Sequence, residues 1–359
     1  MGLNHLIINN IRNINNASIT PNKNFNLIFG KNASGKSSFL EAIYILGTGN
    51  SFRTNKLHEF IAFEKDNCLV SGNVDLDLQN NTQMGISFSN SERIIKIDSI
   101  KYYTRAALAQ KLPLQIIYPG SNQIIEGSPK IRRQFLDWGI FHLIPQYFSE
   151  WNRYRRALNQ RNALLKSKDF SDMEIWDREL SICGTIVTNH RIEYLKKYKQ
   201  YLLNICKTFL PNKDIQIKFN CGWKTFKTFE EILIEDRARD IKFGFTHSGP
   251  HRCDLDILVN GTLAKSFCSR GQIKLLVLAI KLAQINLQTK IKNQFGCLLI
   301  DDFCSELDKN NSDILIKYIM DLNLQCFITA IDKIEITNFY NENTTMFHVE
   351  HGLISTMTR

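Results

Sequence analysis

Residues Gly30-Lys31-Asn32-Ala33-Ser34-Gly35-Lys36-Ser37 have the spacing of a loop that wraps phosphate oxygens. Glycine lets the backbone turn its N–H groups inward at a helix start, where the helix dipole also favours an anion. Lys36 is placed to neutralise the β- and γ-phosphate oxygens of ATP, and the Ser37 hydroxyl to ligate Mg2+. Far downstream, the apolar run Cys297-Leu298-Leu299-Ile300 ends in Asp301-Asp302. Asp301 is the expected metal-side carboxylate, and Asp302 is the group expected to orient or deprotonate the attacking water. Lys36, Asp301 and Asp302 therefore form the candidate catalytic set. A further anion site is offered by Ser269-Arg270-Gly271-Gln272, which precedes the apolar stretch IKLLVLAIKLAQ. The same four residues would equally serve as an ordinary helix cap.

These groups need a scaffold that brings distant segments together. The strand-like NFNLIF precedes the glycine loop and the helix-like KSSFLEAIYILG follows it. The first ~130 residues alternate short β-type runs with turn signals. Ile131–Leu165 and Met173–Leu210 instead carry apolar residues at helical spacing, with Pro145 and Pro211 as breakers and Lys166–Asp172 as a turn. From about residue 213 the β-type runs return, in DIQIKFN, DLDILVNG, CLLID and CFITA. The expectation is an α/β ATPase domain assembled from 1–130 and 213–359 around a parallel sheet. Residues 131–212 would form a compact helical insertion of short antiparallel helices.

The chain has 359 residues, of which 43% are hydrophobic, so a substantial core is available. Forty-five Lys and Arg against 35 Asp and Glu give a net charge of +10, a balance that suits anionic partners such as nucleic acid. Nine cysteines, odd in number and without a CxxC pair, read as small buried hydrophobes and not as a disulfide frame or zinc site. The start MGLNHLIINN lacks a signal-peptide pattern, and LLVLAIKLA is too short to span a bilayer. A cytoplasmic protein with no membrane association is expected.

The phosphate loop, the Ser269 segment and the acid-tipped strand occur in the order of ABC-type ATPases. More specifically, Gly127-Ser128-Pro129-x-x-Arg132-Arg133-x-Phe135-Leu136-Asp137 and Ser248-Gly249-Pro250-His251-Arg252 resemble signatures of the RecF family. So do Ser269-Arg270-Gly271-Gln272-x-Lys274 and Asp301-Asp302-Phe303-x-Ser305-Glu306-Leu307-Asp308, and the order holds to the closing FHVEHGLI. The resemblance implies a P-loop ABC-type (SMC/Rad50-like) ATPase head with an inserted helical lobe. It implies ATP-dependent homodimerisation, with Ser269, Arg270, Gly271 and Gln272 reaching the γ-phosphate in trans and Ser305 and Asp308 in the loop passing between protomers. It further implies weak, DNA-stimulated ATP hydrolysis used as a switch, and binding of single-stranded, gapped and double-stranded DNA. Cooperation with RecO and RecR in loading RecA during gap repair, replication recovery and SOS induction follows from the same resemblance.

Two positions depart from the RecF pattern, and a third, Thr329, agrees with it but departs from transporter-type ATPases. Pro119-Gly120-Ser121 lacks an acidic pair, Cys253 replaces the first of two acids after His-Arg, and Thr329 stands where transporter-type ATPases carry a switch histidine. For DNA, the candidates are Arg53, and Arg153, Arg155 and Arg156 within Trp151-Asn152-Arg153-Tyr154-Arg155-Arg156, followed by Arg161, Lys166 and Lys168. A solvated helix face whose aromatics belong to the core would read the same way. Other ABC-type roles fit less well. A transporter subunit lacks the positive charge and helical insertion, an SMC- or Rad50-like tether needs far longer helices, and a P-loop nuclease needs an acidic metal-binding domain absent from this sequence.

Overall fold

The computed structural model describes residues 2–54, 56, 59–75, 81–89, 92–293, 296–302, 307–322, 324–332 and 343–357. Two compact units emerge, Met1–Ser121 with Lys292–Arg359, and Asn122–Ile291.

The first unit begins with strands β1 (Gly2–Ile11), β2 (Ile14–Ile19) and β3 (Phe25–Phe29), then helix α1 (Lys36–Thr48). Strands β4 (Asn67–Asp75), β5 (Asn81–Ser89), β6 (Arg93–Ile97) and β7 (Ile100–Tyr102) follow, then α2 (Ala106–Lys111) and β8 (Leu114–Ile117). The second unit holds α3 (Gln123–Glu126), α4 (Pro129–Leu143), α5 (Tyr147–Ser167), α6 (Met173–Phe209), β9 (Ile215–Asn220), α7 (Phe229–Glu235) and α8 (Arg237–Phe243). It closes with β10 (Asp254–Val259), β11 (Thr262–Leu263), α9 (Ala264–Phe267) and α10 (Arg270–Lys292). The chain then returns to the first unit as β12 (Cys297–Ile300), α11 (Lys309–Asp321), β13 (Gln325–Ala330), β14 (Thr344–Glu350) and β15 (Leu353–Met357).

Two sheets build the first unit. One, ordered β2-β1-β4-β5-β6-β7, is antiparallel. Its β4 and β5 alternate buried and outward residues, the period of a sheet with one wet face. The other is ordered β15-β14-β3-β13-β12-β8 and is parallel from β14 to β8. Every residue of β3, β12 and β13 is buried, which is why these strands read as unbroken apolar runs. Helix α1 supplies the filling: Phe39, Ile43 and Leu46 share one core with Leu6, Val70 and Ile86 of the first sheet and Ile28, Leu299 and Phe327 of the second. Each such side chain contributes about 1.5–3 kcal/mol by leaving water. The phosphate loop is thus held at the end of the most deeply buried helix of the unit.

In the second unit Pro145 separates α4 from α5, as its missing N–H requires. Helices α5 and α6 run antiparallel, since Tyr147 meets Arg191 and Arg161 meets Asp177. The expected insertion ended at residue 212, whereas residues 213–291 group with the helices. The reason lies in α10. Tyr198 of α6 donates to the Ile280 carbonyl at 2.8 Å, and Gln284 donates to the Phe135 carbonyl and to Tyr194 Oη at 3.0 and 2.9 Å. Strand β9 also follows α6 directly and pairs antiparallel with β10.

Two arginines are wholly inside this unit. Arg161 reaches Asp177 at 2.5 Å, Asp240 at 2.6 Å and Thr246 at 2.8 Å. Arg191 reaches Asp137 and the Pro250 carbonyl, each at 2.7 Å, and Cys253 Sγ at 3.1 Å. Beside them Tyr154 Oη lies 2.6 Å from His251 Nδ1, and His251 Nε2 lies 3.1 Å from the Thr246 carbonyl. A carbonyl can only accept, so Nε2 carries the proton and Nδ1 accepts from the tyrosine. Among the described residues the cysteines are free, and all but Cys268 are buried. No helix among them is long and apolar enough to cross a membrane.

Burial, with Arg252, Arg133 and Arg191 nearby, pushes His251 down to about 4. The unfolded chain then binds more protons than the native state between that value and the ordinary histidine pKa, so stability falls as pH drops through this window. We expect His251→Gln to remove about 2 kcal/mol of the stability lost between pH 7 and pH 5, read by urea denaturation at both values.

Candidate functional site

The phosphate loop is braced by the C-terminal hairpin. Asn13 Nδ2 and the Gly352 N–H both donate to the Ser34 carbonyl, at 3.0 and 2.8 Å. A Cβ on Gly30 would lie 2.2 Å from the Val349 carbonyl, so no other residue fits there. Gly35 has φ of 122° and starts α1 from a conformation that side chains rarely adopt. Lys31 and Asn32 are exposed and Ala33 takes a left-handed φ of 62° at the tip of the loop. Lys36 is buried and folds back, its Nζ donating to the Gly30 carbonyl at 2.7 Å and the Lys31 carbonyl at 3.0 Å. Ser34 Oγ is buried with no hydrogen-bond partner among the described residues. A buried ammonium and an idle hydroxyl inside a ring of backbone amides fit a polyphosphate.

Strand order sets the acids. Strand β13 lies between β3 and β12, with Ile28 beside Thr329 and Ile300 beside Ile328. Asp301 follows β12 directly and its Oδ1 accepts from Ser37 Oγ at 3.0 Å and from Thr329 Oγ1 at 3.0 Å. Thr329 Oγ1 in turn accepts from the Asp302 backbone N–H at 2.9 Å, and Asp302 sits at φ of 52°. One buried hydroxyl therefore bonds the Asp301 carboxylate and the Asp302 backbone at once. Burial raises the Asp301 carboxyl above the usual range, against the lowering effect of the two hydroxyls, while Asp302 raises it further and Arg53 lowers it. A desolvated carboxylate 3.0 Å from the loop serine is a site that a divalent cation would stabilise.

The remaining sequence-predicted residues fall in different places. Asp308 caps α11, accepting from the Asn311 N–H at 2.9 Å, whereas Ser305 lies outside the described residues. In the second unit Ser269 and Gln272 form a reciprocal cap on α10. The Gln272 N–H donates to Ser269 Oγ at 3.3 Å and the Ser269 N–H to Gln272 Oε1 at 3.1 Å. Ser269, Arg270 and Gly271 are exposed, and a Cβ on Gly271 would meet nothing within 4 Å.

Of the basic candidates, Arg53 is about half exposed, lies 3.6 Å from the buried Glu41, and is close enough to Asp301 to lower its pKa. Arg153 is paired with Glu179 at 2.6 Å, and Arg155 and Arg156 are exposed. Arg161 is no surface cation at all but the buried hub described above. Trp151 and Tyr154 also turn inward, stacked at 5.4 Å with Arg191 over the Trp151 ring. Tyr154 is therefore core and Trp151 packs over it, while Arg153, Arg155 and Arg156 face solvent. Sequence reasoning missed Arg12, whose guanidinium grips Glu41 with two 3.0 Å bonds, and Asn13, which holds the loop. Neither sits in a motif, so local spacing carried no signal for them.

A phosphate loop and an acid-tipped strand, separated by a single strand of one parallel sheet, place the chain among ATPase heads of the SMC type. Residues 2–355 match the RecF/RecN/SMC N terminal domain family. The chain is 39% identical to the DNA replication and repair protein RecF of Psychromonas ingrahamii over 361 residues, covering 99% of each. It is 37% identical over 360 residues to the protein of that name from Stutzerimonas stutzeri, covering 99% of this chain and 97% of the relative. A solved structure described as the recombination mediator protein RecF-ATP in the RecFOR pathway superposes with a TM-score of 0.88 at 27% identity, covering 99% of this chain and 97% of that one. The Smc head bound to the C-winged helix domain of ScpA superposes at 0.61 with 13% identity, a likeness of fold alone. The chain belongs to the RecF family.

Because its folded-state pKa is raised, Asp301 favours folding most when protonated and costs stability as pH rises through that value. Asp301→Asn keeps the Oδ1 acceptor and removes the charge. We expect the nucleotide-free variant to melt above wild type at neutral pH while losing Mg2+-dependent nucleotide binding, both read by thermal shift.

Proposed function

We propose that this protein is an ATP-dependent DNA-binding switch of recombinational gap repair. The observation that carries this reading is the 3.0 Å contact between Ser37 of the phosphate loop and Asp301 of the acid-tipped strand. Lys36 and the amides of residues 30–37 bind the phosphates, and Ser37 and Asp301 would hold Mg2+, which when bound would supply charge neutralisation at the phosphoryl group. Asp302 orients the attacking water or takes its proton, and Thr329 bonds the Asp301 carboxylate and the Asp302 backbone N–H. Although residues 213–291 pack with the helices, segments 1–130 and 213–359 supply every group assigned to the nucleotide, and 131–212 serve as the helical lobe.

Ser269, Arg270, Gly271 and Gln272 complete the site from a second copy, and Ser305 and Asp308 line the passage between the two copies. The exposed Ser-Arg-Gly start of α10 supports this, because it offers an anion-binding helix end with no side chain in the way. ATP closes the homodimer on single-stranded, gapped or double-stranded DNA, and slow, DNA-stimulated hydrolysis opens it. Arg53, Arg153, Arg155 and Arg156 contribute phosphate contacts, which carry no base preference. The relatives named as replication and repair proteins, and the solved mediator with ATP, support action with RecO and RecR in loading RecA during gap repair, replication recovery and SOS induction. The setting is cytoplasmic. The 37-residue α6, about 55 Å long, is too short for a tether between distant sites.

Lys36→Met should abolish ATP binding, measured by calorimetry. Asp302→Asn should bind ATP, hydrolyse it at least tenfold more slowly, and retain DNA longer in a dissociation assay. Wild-type hydrolysis by Asp302→Asn would remove its role as base. Affinity for DNA should rise with ATP and Mg2+ and fall steeply with salt; indifference to nucleotide would sink the switch.

A further inference from the structure

The segment that ends α8 and leads into Ser248-Gly249-Pro250 anchors Thr246 and His247 in the unit and leaves Phe243 and Phe245 open to solvent. Thr246 points inward, where its hydroxyl meets Arg161 at 2.8 Å and Asn162 at 2.7 Å. Phe243, Phe245 and His247 form a ladder of rings, with the His247 side chain only 11% exposed at its inner end. Phe245 stacks on His247 with centroids 4.2 Å apart, and Phe243 meets His247 edge-on at 5.2 Å. Both phenylalanines are open to solvent, at 55% and 36% exposure. Each carries a cation, Lys242 at 5.7 Å from the Phe243 centroid and Arg252 at 5.2 Å from that of Phe245.

This ladder is held rigidly from below. The His247 backbone N–H donates to Asp240 Oδ1 at 3.1 Å, and His247 Nδ1 lies 2.7 Å from the same oxygen. Asp240 is fully buried, and its other oxygen is bound to Arg161. Its charge is thus spent inside the unit, and the groups presented beside the rings are positive. Apolar packing alone does not account for the arrangement, because the rings that a core would cover remain in water while polar groups beneath them are buried. Flat π-faces flanked by cations suit an unpaired base together with its phosphate.

We propose that Phe243 and Phe245, supported by His247 and flanked by Lys242 and Arg252, form a stacking platform for the unpaired bases of single-stranded DNA. Paired bases present no free face, so duplex would not use it. The proposal rests on the reading of the protein as DNA-binding and adds the surface that distinguishes single strands. The cations would contribute the salt-dependent part of binding and the rings the salt-independent part.

The test is fluorescence anisotropy with labelled oligo(dT) and a duplex of the same length, with ATP and Mg2+, across a salt series. Phe245→Leu keeps the apolar bulk but loses the π-face. It should weaken oligo(dT) binding about tenfold, leave the slope of log affinity against log salt unchanged, and spare the duplex. Phe243→Leu should act likewise, and Phe245→Tyr should retain wild-type affinity. Arg252→Ala should lower the salt slope. Unchanged oligo(dT) binding by both leucine variants overturns the platform, as does equal weakening of duplex. Unchanged DNA binding with lost capture of a protein partner would assign the ladder to that partner instead and also overturn it. Failure of the wild type to bind either DNA would sink the DNA-binding function itself, whereas neutral leucine variants of a DNA-binding wild type sink only the platform.

Discussion

At the end of β13, between the strand that launches the phosphate loop and the strand that ends in Asp301, the Thr329 hydroxyl donates to one acid and accepts from the backbone of the next. Its position follows from parallel register alone, because Thr329 extends one residue past the pair Ile300 and Ile328. The three strands are buried along their whole length, so a slip by one residue would turn apolar side chains into the site and is strongly disfavoured. The geometry of two acids against one loop serine is therefore set by the hydrophobic core of the sheet. A threonine here, unlike the switch histidine expected of transporter-type ATPases, is a fixed group and not a titrating one. Orientation is retained and proton transfer is not.

The second unit solves a different problem. Placing Arg161 and Arg191 out of water is costly unless every donor finds an acceptor. Arg161 is met by two carboxylates and a hydroxyl, Arg191 by a carboxylate, a carbonyl and a thiol. Such networks contribute less to net stability than to uniqueness, since few alternative packings satisfy all partners at once. Here they pin the loop from Thr246 to Cys253 to both long helices. Cys253, at a position where the family pattern has an acid, touches Arg191 directly, and Asp137 supplies the counter-charge. Asp254, the acid that remains, grips Arg132 with bonds of 2.7 and 3.0 Å.

What could be read from the sequence divides by distance along the chain. The phosphate loop was legible because its residues are contiguous and each has a backbone or charge requirement. The place of Asp301 was legible because, beside such a loop, an apolar run ending in acids is most simply a buried strand whose tip reaches the loop serine. Arg161 was misread because a basic residue on an amphipathic helix looks the same whether its partner is water or Asp240, seventy-nine residues away. The grouping of residues 213–291 with the helices was hidden for the same reason: Gln284 meets Phe135 across 149 positions. Glu41 is another case, a buried acid in the middle of α1 whose partner Arg12 lies in the turn after β1.

The loop closing on its own lysine has a kinetic corollary. Nζ of Lys36 already has two carbonyl partners, so an arriving phosphate must exchange with them, and a departing phosphate leaves an ammonium that can be satisfied at once. Entry is taxed and exit is assisted by the same pair of bonds. Substitutions that loosen these two bonds would then tighten the hold on any phosphate ligand, whatever its length.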